Sequence, residues 1–297
     1  MKSNKYEIDM CNGSIMDKLV SFALPLMLSG ILQLMFNAVD IIVVGRFSGS
    51  EALAAVGSTT ALINVFTNLF IGISLGANVL AARFFAAGRK EEMSETVHTS
   101  ITLALISGIL MAFVGLVFSK GALELMGTPE DVIGLSTLYM RIYFMGMPFF
   151  MLYNYGAAIL RAVGDTKRPL YFLIIAGVIN AGLNMVLVIV FGLGVAGVGI
   201  ATVFSQMVSC VLVLTCLCRT EGSYKLSFSK LSMKGYYLKQ IFQVGIPAGI
   251  QSTVINFSNA LLQSSVNSFG STAMAGYTAA NNILGFLYVS INCVTQA

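Results

Sequence analysis

The sequence predicts an all-α, polytopic membrane protein, built as a six-helix N-lobe followed by the first two helices of a repeated C-lobe. Three observations carry that expectation. The 297 residues are 57% hydrophobic and only 10% charged, with a mean hydropathy of +0.84, whereas soluble domains carry about 25% charged residues. Apolar runs long enough to cross a bilayer, about 20 residues each, alternate with short charged clusters. A stretch near the start of the chain also recurs near its end.

Taken in order, residues 1–18 are polar and read as a cytoplasmic lead-in, helical from Ser14 and lying at the interface. The N-lobe, 19–218, opens with a first span over Leu19–Phe47. A turn with Arg46, Gly49 and Glu51 leads into helix 2, which is expected to run to about residue 82. After a basic loop (Arg83, Arg89, Lys90), helix 3 is placed at about 96–118. Gly127-Thr128-Pro129 then marks a loop, and helix 4 is placed at about 132–160. The loop Arg161 to Pro169 combines a helix-ending glycine, an Asp165 or Thr166 cap and an early proline for the next helix. From Pro169 to Cys218 fifty positions carry no charge, too many for one span and about right for two, parted at Gly192–Gly199. Residues 219–239 form a basic cytoplasmic connector, and 240–297 an incomplete C-lobe whose helices 7 and 8 divide at Ser268–Ser271.

Orientation follows from the basic residues. With the N-terminus inside, 14 of the 17 Lys and Arg residues fall on the inner side, leaving Arg46, Lys120 and Arg141 at or near the outer one. This satisfies the positive-inside rule. The net charge of +4 is spread over these clusters, which speaks against a nucleic-acid interface. The five cysteines lack the pairing and the histidines of a zinc site, and read as small packing residues.

Asp40 is the residue that asks for a function. Of the thirteen acidic residues it alone lies well inside a span. An ionised carboxylate there costs about 2.5–3.5 kcal/mol even on insertion scales, so it normally faces a polar cavity and has a task. The repeat sharpens the point. Pro25, Asn37, Ala38 and Phe47 overlay on Pro247, Asn259, Ala260 and Phe269, while Asp40 falls on Leu262. Six helices separate the two starts, so both copies enter from the same side, as in transporters whose halves are related by an axis along the membrane normal. A full second copy would need six helices and the sequence holds two, so the chain reads as a fragment of a twelve-helix protein or as the product of a truncated gene.

Other polar groups have simpler readings beside functional ones. Asn180 and Asn184 lie one helical turn apart, able to hydrogen-bond a carboxylate, to offer neutral oxygens to Na⁺, or to glue helices together. Pro25, Pro148 and Pro247 interrupt helices 1, 4 and 7 as kinks, static or hinge-like. Gly192-x-Gly194-x-x-Gly197 spells a dinucleotide fingerprint but has no βαβ context, and reads as a turn. His98 reads as an interfacial hydrogen bonder, with a proton relay as the alternative, and Arg141 as a snorkelling side chain or a carboxylate partner. One intramembrane Asp and one peripheral His do not make a membrane-embedded enzyme.

Four segments together resemble the multidrug and toxic compound extrusion (MATE) family of the flippase superfamily: Leu24–Gly45 (LPLMLSGILQLMFNAVDIIVVG), the loop RAVGDTKRP, NAGLN at Asn180–Asn184 with FGLGVAGVGIAT after it, and the GIP that opens helix 7. The resemblance covers essentially the whole chain. It implies a V-shaped, two-lobed antiporter in a bacterial inner membrane that exports small organic cations in exchange for H⁺ or Na⁺, needs no cofactor, contacts membrane lipid and works as a monomer. By matching motif it implies an ion-coupling role for Asp40, with Na⁺ as a possible ligand, and for Asn180, Asn184 and Thr202 around it. Gln33, Met35, Phe36 and Asn37 are then expected to line the substrate chamber. Asn184 stands where some members have a second aspartate, Phe36 where some have tyrosine, and helix 7 lacks the membrane glutamate of one subgroup. The runner-up is a lipid-linked oligosaccharide flippase of the same superfamily, which would need a basic chamber that the spans do not supply.

Overall fold

The computed structural model describes residue 8, residues 14–267, and residues 284, 285, 287, 288, 291 and 293. Its helices are α1 (Ile15–Phe47), α2 (Gly49–Ala86), α3 (Lys90–Leu125), α4 (Glu130–Met145), α5 (Met147–Ala162), α6 (Lys167–Asn184), α7 (Gly194–Arg219) and α8 (Gly235–Asn267). Among the described residues, five stretches are long and apolar enough to cross a membrane: α1, α2, α3, α6 with its extension to Val190, and α7. The expected break between helices 7 and 8, most of helix 8 and most of the lead-in lie outside the described residues.

The helices overshoot the apolar runs that located them. α3 begins at Lys90, six residues before the expected start, and α2 ends at Ala86 rather than 82. Their ends are charged yet helical: Glu91 and Glu92 occupy the first turn of α3 and Arg83 the last turn of α2, matching the helix dipole. α1 starts at Ile15 after Ser14, as the lead-in suggested, and stays helical across Pro25.

The expected fourth span is two helices. Pro148 sits in the first turn of α5, where its missing N–H is tolerated, and the chain tightens before it. The Gly146 N–H bonds the Tyr143 carbonyl at 3.0 Å, and the Gly146 carbonyl accepts from Phe149 and Phe150. The glycine fingerprint is indeed a turn: Gly192 and Gly194 adopt φ of +63° and +54°, and α7 begins there. Before it, α6 loosens into a π-helical stretch over Met185–Val190.

α5 is the central post, packed by α2, α3 and α7. Met147, Met151, Tyr155, Ile159 and Leu160 are all fully buried along it. α1 lies at the edge, against α6, α2 and the π-helical stretch. α8 crosses α2, and the crossing is backbone on backbone: a Cβ at Gly72 or Gly76 would collide with the main chain around Gly249 or Gly245 and Ile241. Gly72 and Gly76 on one helix and Gly245 and Gly249 on the other form paired small-xxx-small motifs, the usual way for membrane helices to approach closely.

Candidate functional site

The site is built where α1 meets α6. Asp40 lies two turns before the end of α1, and Asn184 is the last residue of α6 before the π-helical stretch. The wider turns that follow re-aim the chain just beyond Asn184, and such insertions recur at functional positions. Asn184 is fully buried and Asn180, one turn earlier, nearly so.

The depth and register of the contact are set by a residue without a side chain. A Cβ on Gly177 would occupy the position of the Phe36 ring. Phe36 and Asp40 are one turn apart on α1, as Gly177 and Asn180 are on α6. Seating the ring on Gly177 therefore brings the carboxylate level with the two amides.

Asn184 Nδ2 donates to Asp40 Oδ1, and also to Asn180 Oδ1 at 3.2 Å. Both amide hydrogens are then spent. Its own carbonyl oxygen, Oδ1, is buried with no hydrogen-bond partner. A buried acceptor in that state is costly, by about 1–3 kcal/mol, unless something electropositive reaches it. Next to it stands a carboxylate with a single amide donor. The set offers hard oxygen ligands, and among the described residues no basic side chain forms an ion pair with Asp40.

Tyr139 and Tyr143 of α4 lie within electrostatic reach of Asp40, their rings 6.2 Å apart. The sequence reading did not include them. Two tyrosines spaced by four, and so on one face of α4, were the available signal.

Not every expected residue joins the cluster. Thr202, on α7, turns its hydroxyl onto its own helix, donating to the Val198 carbonyl at 2.9 Å. Gln33 and Asn37 are exposed and share the Asp40 face of α1, at about 100° per residue, while Phe36 is half-buried against α6. Met35, 53% exposed, points to the other side of the helix. Pro25 and Pro247 lie inside α1 and α8, and Pro148 at the start of α5. His98 is a hydrogen-bonding clamp: Nδ1 pairs with the Ser94 carbonyl at 2.7 Å and Nε2 accepts the Ser227 N–H at 3.1 Å. Arg141 is exposed and forms no ion pair among the described residues.

Residues 25–186 match the MatE family. The chain is 35% identical over 275 residues to the probable multidrug resistance protein YoeA of Bacillus subtilis, covering 90% of this chain and 59% of that protein. It is 29% identical to YpnP of the same organism, covering 93% and 61%. The chain thus spans about 60% of the length of these curated relatives. Among solved structures, an outward-facing multidrug resistance MATE transporter of the MOP superfamily superposes with a TM-score of 0.91 at 24% identity, over 100% of this chain and 66% of that one. A MATE protein crystallised in a bent conformation gives 0.88 at 25% identity, over 96% and 64%. With more than half of its residues matched by the family, and all of its described helices accommodated in the family's fold, this chain belongs to the MATE family of membrane transporters, which are not enzymes.

Proposed function

We propose that the chain carries the ion-coupling half of a secondary active antiporter, which exports amphiphilic organic cations in exchange for H⁺ or Na⁺ bound at Asp40. The observation that carries this reading is the Asp40 carboxylate held by the Asn184 amide nitrogen, while the carbonyl oxygen of the same amide is buried without a hydrogen-bond partner. Together they give a small cation two oxygens in a site walled by α1 and α6. Asn180 acts one step out, holding the Asn184 amide so that its nitrogen faces Asp40.

Coupling then needs only charge bookkeeping. With Asp40 ionised, the exposed Gln33 and Asn37 face beside it attracts a cationic substrate. Once H⁺ or Na⁺ neutralises the carboxylate, that attraction is gone and the substrate is released. Binding also alters the Asp40–Asn184 hydrogen bond that ties α1 to α6 at this level, which lets α1 move about Pro25. In this reading Thr202 could serve only by offering its hydroxyl lone pairs, since its proton is already donated to Val198. The basic residues of the lead-in and connector support a cytoplasmic position for that end, and in this reading the chain sits in a bacterial inner membrane and acts as a monomer. The relatives named as multidrug resistance proteins support the substrate class.

The test is gradient-driven efflux of ethidium from proteoliposomes holding the natural protein or its Asp40→Asn variant, with Na⁺ and pH gradients imposed separately. Asparagine keeps the size of the side chain and removes the charge. Loss of efflux under both gradients is the expected result, and undiminished efflux under either one overturns the proposal.

A further inference from the structure

The segment after α7 is not a loose linker. From Arg219 it folds back along α2 and α3: the Leu226 N–H bonds the Leu217 carbonyl at 3.1 Å, Ser227 donates to His98, and the Lys234 ammonium meets Glu95 at 2.7 Å. Tyr224 and Tyr237 set their rings edge-on against Phe85 and Phe84 at 6.3 and 6.0 Å. Tyr224 and Leu226 are 2% exposed. The strap is fixed to the body of the protein, so whatever it leaves uncovered is held in place.

What it leaves uncovered is amphipathic. A short 3₁₀ turn, Phe228–Lys230, presents Phe228 at 60% exposure, with Met233 at 46% and Tyr236 at 68% alongside. Arg219, Lys225, Lys230 and Lys239 are exposed and form no ion pair among the described residues, whereas Lys234 is taken up by Glu95. Glu221 is the one acidic residue of the strap. The attachment points on α3, Glu95 to Thr99, lie about 8–14 Å along that helix from its charged start, directly before its uncharged body. In a spanning helix, the change from charged to uncharged turns falls where headgroups give way to acyl chains.

We propose that residues 219–239 form a docking surface for anionic phospholipids of the adjacent leaflet. Phe228, Met233 and Tyr236 enter the interfacial layer, and Lys225, Lys230 and Lys239 pair with headgroup phosphates. Aromatic side chains favour that layer, and each basic residue near an anionic surface adds attraction that fades with salt. A soluble acidic partner would satisfy the lysines but would leave the three apolar side chains no better placed than in water. The proposal is independent of Asp40 and of the transport reading.

The chain has no tryptophan, so Phe228→Trp supplies a single reporter. The variant is placed in nanodiscs that contain either dibrominated phosphatidylglycerol in a phosphatidylcholine background or dibrominated phosphatidylcholine in a phosphatidylglycerol background, at equal mole fraction of brominated lipid. Quenching about threefold stronger by the brominated anionic lipid is expected, falling to parity in high salt and in a Lys225→Gln, Lys230→Gln, Lys239→Gln background. Equal quenching by both lipids would remove the anionic preference and overturn the proposal. An unquenched reporter, whether water-exposed or covered by protein, would overturn it as well, as would a preference that survives the three substitutions.

Discussion

α1 and α8 begin as copies of one another and end in opposite employment. Both carry the overlaid proline, and Asn37 of one matches Asn259 of the other in sequence. Yet α1 meets its neighbour α6 through a carboxylate and two amides, with one aromatic ring seated on Gly177. α8 meets α2 through four glycines with main chain against main chain, and the residue in register with Asp40 is Leu262, 55% exposed. The duplicated helix has been kept as a shape and divided in its chemistry. A contact made by backbone packing is indifferent to ions, whereas one that hangs on a charged hydrogen bond changes whenever the charge does.

The largest effect is expected where that indifference is removed. Gly76→Leu puts four carbons where the α8 main chain runs, and backbone cannot step aside as a side chain can. We expect a loss of about 3 kcal/mol, the upper part of the range for overpacking. The melting temperature of the detergent-solubilised protein should fall by roughly 6 °C or more. A variant that melts like the wild type would mean that α2 and α8 do not meet through these glycines.

Second in size is the polar contact. Asn184→Leu keeps the volume and takes away the only amide hydrogen bonded to Asp40. A buried group that loses its partner pays about 1–3 kcal/mol, more when charged. Ion-driven ethidium efflux should drop by about tenfold or more while the α2–α8 crossing, read by thermal melting, shifts much less. If melting falls and efflux does not, the asparagine is helix glue and the comparison between the two crossings loses its point.

How far these differences were legible beforehand follows from what each depends on. The spans could be read because a helix in lipid must satisfy its own backbone and therefore shows as a long apolar run. Asp40 could be read because a charge inside such a run has no cheap explanation. Asn180 and Asn184 lie in one helix, where spacing alone decides that they share a face. Tyr139 and Tyr143 were missed because they reach Asp40, about one hundred residues away in the chain, only through the packing of α4 on α2 and α7, which also border α1. Thr202 was expected at the site by its match to a motif, and its hydroxyl bonds back to the carbonyl four residues earlier, as helical threonines commonly do. Met35, expected with Gln33 and Asn37 from the resemblance, lies on a different face of α1, as about 100° per residue dictates.

A third, smaller effect tests how α1 is held in register. Gly177→Ala inserts one methyl where the Phe36 ring lies, which the ring can relieve only by swinging away or by pushing α1 outward. About 1–2 kcal/mol of destabilisation is expected. Pairing it with Phe36→Leu should recover most of the loss in a double-mutant cycle, because the two sites touch. Strict additivity would show that the ring and the glycine are not in contact.

The smallest effect on stability, and the sharpest on the comparison, is at the prolines. Pro25 denies its helix one backbone hydrogen bond, and the Ser29 hydroxyl donates to the Pro25 carbonyl at 2.8 Å, drawing that oxygen from its own backbone partner. Pro25→Ala restores the missing donor and should leave the melting temperature unchanged or slightly raised. If α1 moves when Asp40 exchanges its ion, stiffening it slows each cycle, so ethidium efflux should fall a few-fold while ethidium binding at equilibrium stays the same. Pro247→Ala makes the same chemical change in α8, whose crossing with α2 carries no ionisable group, and efflux should hardly respond. Equal responses of the two variants would mean that both helices bend during transport, and the division of labour drawn from their contacts would have to be given up.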